Sequence, residues 1–158
     1  MSQYPFRITI PGVKWETREV EPMQTQFKTK ECPCKTILLY EFQEHPNATN
    51  FFGPGNPEEQ VLLDFYEWDS KYQISDVQGV TREIIDMNIE GLSQPNLFWK
   101  IGNAAQQIYF LGTVRNRRLI ILSVDDHDDP PAGKDLALKI FGSLRFFYQD
   151  ATGTHYYN

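Results

Sequence analysis

The chain has 158 residues, 41% of them hydrophobic and 14% aromatic, with a net charge of −6. That length fits one domain burying roughly two-thirds of its unfolded surface, and the aromatic content excludes wholesale disorder. The acidic balance excludes the basic stripe of a nucleic-acid binder, and no apolar run approaches the ~18 residues that span a membrane.

Phe6, Ile8 and Ile10 alternate with Arg7 and Thr9, the period of a half-buried strand, and Pro11-Gly12 ends it. The chain therefore opens on a strand, without the basic and apolar regions of a signal peptide, and the expected location is cytoplasmic. Val13, Trp15 and Thr17 alternate with Lys14 and Glu16 and predict a second short strand. Thr25 to Lys30 alternates with few apolar residues, as an edge strand does. Cys32 and Cys34 flank one proline. On an extended chain they face opposite sides, so a disulfide between them would be strained. A zinc site needs about four ligands and only His45 is near in sequence. The plain reading is two reduced thiols, with a metal or redox role as the alternative. Ile37 to Phe42 is apolar on both faces, which predicts a central strand covered on both sides.

Residues 44 to 57 read as a loop rich in Asn, Gly and Pro. Gly53-Pro54-Gly55 lacks the Lys-Ser/Thr ending of a phosphate loop. Asn56-Pro57-Glu58-Glu59 then predicts a helix start. Asn56 is placed to cap, Pro57 to take the first helical position, and Glu59 to close a capping box. Val61, Phe65, Trp68 and Tyr72 follow on one helical stripe. A face packed on a sheet explains such a stripe more simply than a ligand shelf does.

From Val80 the pattern is one of strands. Ile85, Met87 and Ile89 alternate, as do Leu97, Trp99 and Ile101. Residues 106–114 and 119–124 form two apolar runs around Arg115-Asn-Arg-Arg118, an antiparallel hairpin with a basic turn. Arg115, Arg117 and Arg118 are candidates for gripping an acidic protein partner; a solvated turn is the plainer account. Next comes SVDDHDDPPAGKD, residues 123–135. Asp125, Asp126, His127, Asp128 and Asp129 supply oxygen and nitrogen donors and are the candidate metal ligands. A calcium loop needs alternating ligands, a turn-permitting Gly and a closing Glu, which this stretch lacks. Pro130-Pro131 stiffens it further. It reads first as the lead into a helix capped by Asp129 or a neighbour. In that helix Ala132, Leu136 and Ile140 form one stripe with Ala137 and Phe141 beside it, and Gly142 ends it. Ser143 to Phe147 returns as a strand. Residues 1–147 are expected to make one domain, and 148–158 a frayed tail.

This order of elements predicts an α+β fold with a mainly antiparallel sheet. No nucleophile elbow, dinucleotide fingerprint or zinc-protease motif is present. His45, His127 and His155 all fall in loop or tail sequence. No catalytic residue, cofactor or cofactor-binding residue is predicted.

The hairpin QQIYFLGTVRNRRLIILSV, the polar loop after it and the short helix ending in KIFGSLRF resemble the PsbP-like superfamily. There a terminal helix runs into a Ser-hydrophobic-x-Phe strand, which Ser143-Leu-Arg-Phe146 matches. Residues 80 to 147 carry the likeness. The resemblance implies an α/β/α sandwich and a class of small, mostly non-enzymatic accessory proteins that bind other proteins. That class spans an extrinsic photosystem II protein, a Ran-binding protein and bacterial chaperones for type VI secretion effectors. The expected function is thus a cytoplasmic protein-binding accessory domain, in its most specific form an adaptor or chaperone for a secreted effector. One alternative is an immunity or inhibitor protein with an acidic surface that includes 125–129. The other is a metal-binding or enzymatic domain built on Asp125–Asp129 or on Cys32 and Cys34. The expected partner is another protein, with a second copy of the chain left open, and neither nucleic acid nor membrane insertion is expected.

Overall fold

Strands that are apolar at every position need cover on both faces, and the computed structural model shows where it comes from. It describes residues 6–11, 15–21, 24–29, 35–43 and 55–157. In chain order these form β1 (Phe6–Arg7), β2 (Trp15–Glu21), β3 (Gln24–Thr29), β4 (Lys35–Gln43), α1 (Glu58–Ile74), β5 (Thr81–Met87), β6 (Asn96–Gly102), β7 (Gln107–Arg115), β8 (Arg118–Asp126), α2 (Pro130–Gly142), β9 (Arg145–Asp150) and β10 (Gly153–Tyr157). Seven strands make one antiparallel sheet in the order β2-β3-β4-β8-β7-β6-β5, and β1-β9-β10 make a small second sheet. The fold is α+β, with helices on both faces of the large sheet.

Period-2 alternation sorts the large sheet's side chains into two cores. Leu97, Trp99 and Ile101 of β6, Phe110 and Val114 of β7, and Leu119 and Ile121 of β8 meet Val61, Leu62, Phe65 and Tyr66 of α1. Their chain neighbours Phe98, Tyr109, Leu111, Ile120, Leu122 and Val124 point the other way. They meet Ala137, Ile140 and Phe141 of α2, and Phe146 of β9. Trp99 is fully buried, stacks on Phe110 at 5.3 Å, and takes the edges of Phe65 and Tyr66. Gly112 lets α1 come this close. A Cβ there would lie 2.6 Å from Ile121 Cδ1, 3.2 Å from Leu62 and 3.3 Å from Trp99.

The β5–β6 connection is held by one buried amide. Asn96 accepts from Ile89 N at 2.8 Å and donates to Ile89 O and Ser93 O, while its own N–H bonds Asn88 Oδ1. Asn88 takes a positive φ of 52°, a conformation its short amide tolerates.

Several sequence expectations need correction. The segment 6–10 pairs with β9 only over Phe6–Arg7; Ile8 and Ile10 still pack on the α2-side core. Strand β3 is interior, because β2 lies outside it. Ile85 and Met87 do not share a face. The β5–β6 register shifts between Ile84 and Asp86, which sends Ile85 to one core and Met87 to the other. The C-terminal residues do not fray. Tyr148 to Asp150 complete β9, and Gly153–Tyr157 pair back along it, with Tyr157 against Phe146 at 5.8 Å. Aromatic cross-strand pairing supplies the stability that composition alone did not reveal.

Candidate functional site

The fold distributes the acidic run 125–129 rather than gathering it. Asp126 is buried, and its Oδ1 accepts from the N–H groups of Asp128 and Asp129 at 3.2 and 3.0 Å. Asp129 caps α2, accepting from Ala132 N at 3.3 Å, with the two prolines in the first helical turn as their fixed φ permits. Asp128 is exposed. Only Asp125 and His127 meet: His127 Nε2 lies 3.2 Å from Asp125 Oδ2. Gln106 Nε2 donates toward both, 3.3 Å from Asp125 Oδ2 and 2.9 Å from His127 Nδ1. Both ring nitrogens of His127 thus have a polar neighbour, Gln106 at Nδ1 and Asp125 at Nε2. Partial burial raises the Asp125 pKa, and the His127 charge and the Gln106 bond lower it in part. Among the described residues no group of three or more His, Cys, Asp or Glu is placed to hold a metal ion. Cys32, Cys34 and His45 lie outside the described residues.

The basic turn is likewise divided. Asn116 and Arg117 have φ of 51° and 60°, a two-residue turn with both residues left-handed, closed by the Arg115–Arg118 pair. Arg118 is buried, ion-paired to Glu41, and lies over the Phe6 ring at 4.7 Å. Arg115 lies over Phe146 at 5.1 Å and Tyr157 at 5.8 Å. Two of the three arginines thus join the large sheet to the small one, and only Arg117 is exposed.

The more suggestive surface is on α1. Its inner face is Val61, Leu62, Phe65, Tyr66 and Ser70. The predicted stripe keeps Val61 and Phe65 but turns Trp68 and Tyr72 outward, 54% and 76% exposed. The helix also departs from the predicted cap. Pro57 occupies the cap position without a side-chain bond, and Asn56 donates to Asp64 instead. Glu58 and Glu59 reach across to other elements, accepting from Asn116 N and Asn88 Nδ2, both at 3.2 Å.

On one flank α1 holds Arg82 of β5. The guanidinium lies 5.1 Å over the Tyr66 ring, bonds Glu67 Oε2 at 3.0 Å and Ser70 Oγ at 2.7 Å. Those bonds, chiefly Arg82 and then Lys71, hold the Glu67 carboxyl below its ordinary range. On the outer flank Asp64, Trp68 and Tyr72 follow at intervals of four, and Asp76 stands just past the helix end. Sequence reasoning placed Trp68 and Tyr72 on one stripe with Val61 and Phe65 and assigned that stripe to the sheet-packed face. Charge was the signal that pointed outward: six carboxylates against Lys71 between Glu58 and Asp76.

Two recesses open at the far end of the β5–β7 strands. One of about 310 Å³ is lined by Glu83, Lys100, Asn103 and Gln107, with Lys100 Nζ 3.3 Å from Glu83 Oε2. The smaller, about 170 Å³, has Gln73, Asn103 and Gln106 over Val80, Ile101 and Ile108.

No protein-family model matches the chain, and no curated protein sequence does. Among solved structures it is similar to cyanobacterial PsbP (CyanoP) from Synechocystis sp. PCC 6803, with a TM-score of 0.57 over 91% of this chain and 92% of that one. The fold is PsbP-like. Sequence identity is 13%, so the likeness is one of fold. It covers the first half as well as residues 80–147, further than the hairpin and terminal helix reached alone. Among the described residues no helix is long and apolar enough to cross a membrane.

Proposed function

We propose that this is a non-enzymatic protein-binding accessory domain, and that it docks its partner on the outer face of α1. Trp68 and Tyr72 carry the reading. They are the large exposed aromatics of a helix whose inner face already fills its core with Val61, Leu62, Phe65 and Tyr66. Exposed aromatics ringed by polar side chains mark interaction surfaces. In its most specific form the domain is a cytoplasmic adaptor or chaperone for a secreted effector. The PsbP-like fold is compatible with that form, whose support is the accessory character of the superfamily the sequence resembles. For the acidic-inhibitor alternative the run 125–129 offers a smaller surface than its sequence suggests, since Asp126 is buried while Asp128 and Asp129 are exposed.

A photo-crosslinking residue at position 72 tests this, with one at exposed Lys139 of α2 as the control. Position 72 should capture a protein of discrete mass in cells, and Trp68→Ala should remove the adduct. Identical adducts at both positions, or none at 72, would overturn the proposal. A captured protein that is itself exported would support the chaperone form.

A further inference from the structure

Resting on that reading, we infer that the segment docked on α1 is basic and arginine-bearing, its guanidinium groups laid on Trp68 and Tyr72 and paired with Asp64 and Asp76. The molecule already shows this chemistry on the same helix. Arg82 is held on the same helix by a ring, a carboxylate and a hydroxyl, with Tyr66 beneath it and Glu67 and Ser70 at its edge. The outer stripe offers two of those kinds of group, the rings of Trp68 and Tyr72, with the carboxylate of Asp64 one turn before them and that of Asp76 just past the helix end.

Three physical terms favour a cation there. Guanidinium groups stack on aromatic faces and pair with carboxylates in the plane of the fork, which an ammonium does not. Six carboxylates stand on and just beyond α1 against its one lysine; Glu67 is already paired with Arg82 and Lys71, and the other five still attract a basic segment and repel an acidic one. The exposed rings also lie toward the helix C-terminus, the negative end of its dipole, where Lys71 is the sole basic residue of the last turn. Asp64 accepts from the neutral amides of Asn56 and Gln60, neither of which cancels its charge. Asp76 is exposed.

Three synthetic peptides of equal length test this: one arginine-rich, one with each arginine replaced by lysine, and one with each replaced by glutamate. Tryptophan fluorescence and titration calorimetry at low and physiological salt report binding to the full chain. The arginine peptide should bind best, the lysine peptide about threefold to tenfold more weakly, and the glutamate peptide not at all. Trp68→Ala should cost the arginine peptide about tenfold, and the Asp64→Asn/Asp76→Asn pair should flatten its salt dependence. Equal arginine and lysine binding, unmoved by Trp68→Ala, would overturn the inference by showing unspecific charge attraction. If position 72 crosslinks a partner but no basic peptide binds, the basic-segment inference fails and the docking face stands. If position 72 captures nothing, the docking face fails with it.

Discussion

The two helices cover opposite faces of one sheet, and they are secured differently. Helix α2 is tied at both ends. Asp129 caps its start, and at its finish Ser143 donates its N–H and hydroxyl to Ile140 O and meets Thr9 of the N-terminal segment. Gly133, Ala137, Ile140 and Phe141 go inward, and nothing aromatic is left outside. Helix α1 has no side-chain cap and is anchored by its flanks, through Glu58, Glu59 and Arg82. It buries one aromatic layer and exposes another. The difference teaches that α2 is explained by folding alone, whereas the outer half of α1 is not.

The comparison is broken most severely from inside. Trp99→Ala removes the ring on which Phe65, Tyr66 and Phe110 converge. A loss of about 3–5 kcal/mol is expected in urea unfolding, the usual cost of emptying a buried aromatic site. A loss under about 1 kcal/mol would mean that α1 is held by its flanks and not by its core.

Gly112→Val attacks the same contact by filling it. Ile121, Leu62 and Trp99 are all buried, so none has solvent to move into. Overpacking of this kind costs about 1–3 kcal/mol, and near-UV circular dichroism should show the Trp99 environment disturbed. On the α2 side, Asp129→Ala tests whether that helix depends on its cap. About 1 kcal/mol should be lost, and Asp129→Ser should recover most of it. Equal stability of the Ala and wild-type chains would leave the Asp126 turn as the true anchor.

Much of this was legible in the sequence, and the gaps have physical causes. The 106–124 hairpin, both helices and the cap at Asp129 follow from periodicity and turn chemistry, because those signals are local. The bulge at Ile84–Asp86 was not legible, since an extra residue changes no residue type and only re-aims those around it. The C-terminal strand was missed because its stability comes from Phe146 and Tyr148, opposite it across the pairing. At the candidate site, the aromatic stripe was visible but its direction was not. Helical spacing joins Val61, Phe65, Trp68 and Tyr72 on one line, and only packing shows that the line leaves the core after Phe65. In the acidic run the cap at Asp129 was legible, whereas the inward turn of Asp126 was not, because adjacency in sequence does not show which of five neighbours the fold buries.

The smallest effect sharpens the contrast by pH. Asp69 is half-buried on α1, and Gln73 Nε2 donates to it at 2.5 Å. Burial raises its pKa, and the Gln73 bond only partly opposes this. The folded chain therefore holds the Asp69 proton more tightly than the unfolded chain does. Stability from this group is full below the unfolded pKa, falls as pH rises through the window up to the raised folded value, and above it a constant penalty remains. Asp69→Asn keeps an oxygen for Gln73 and abolishes the charge. Its urea midpoint should exceed wild type near pH 7 and match it near pH 3, below the ordinary aspartate range. A lower midpoint at neutral pH would mean that the charge is compensated within the fold. The expected outcome would instead show α1 carrying a carboxylate that its own packing opposes.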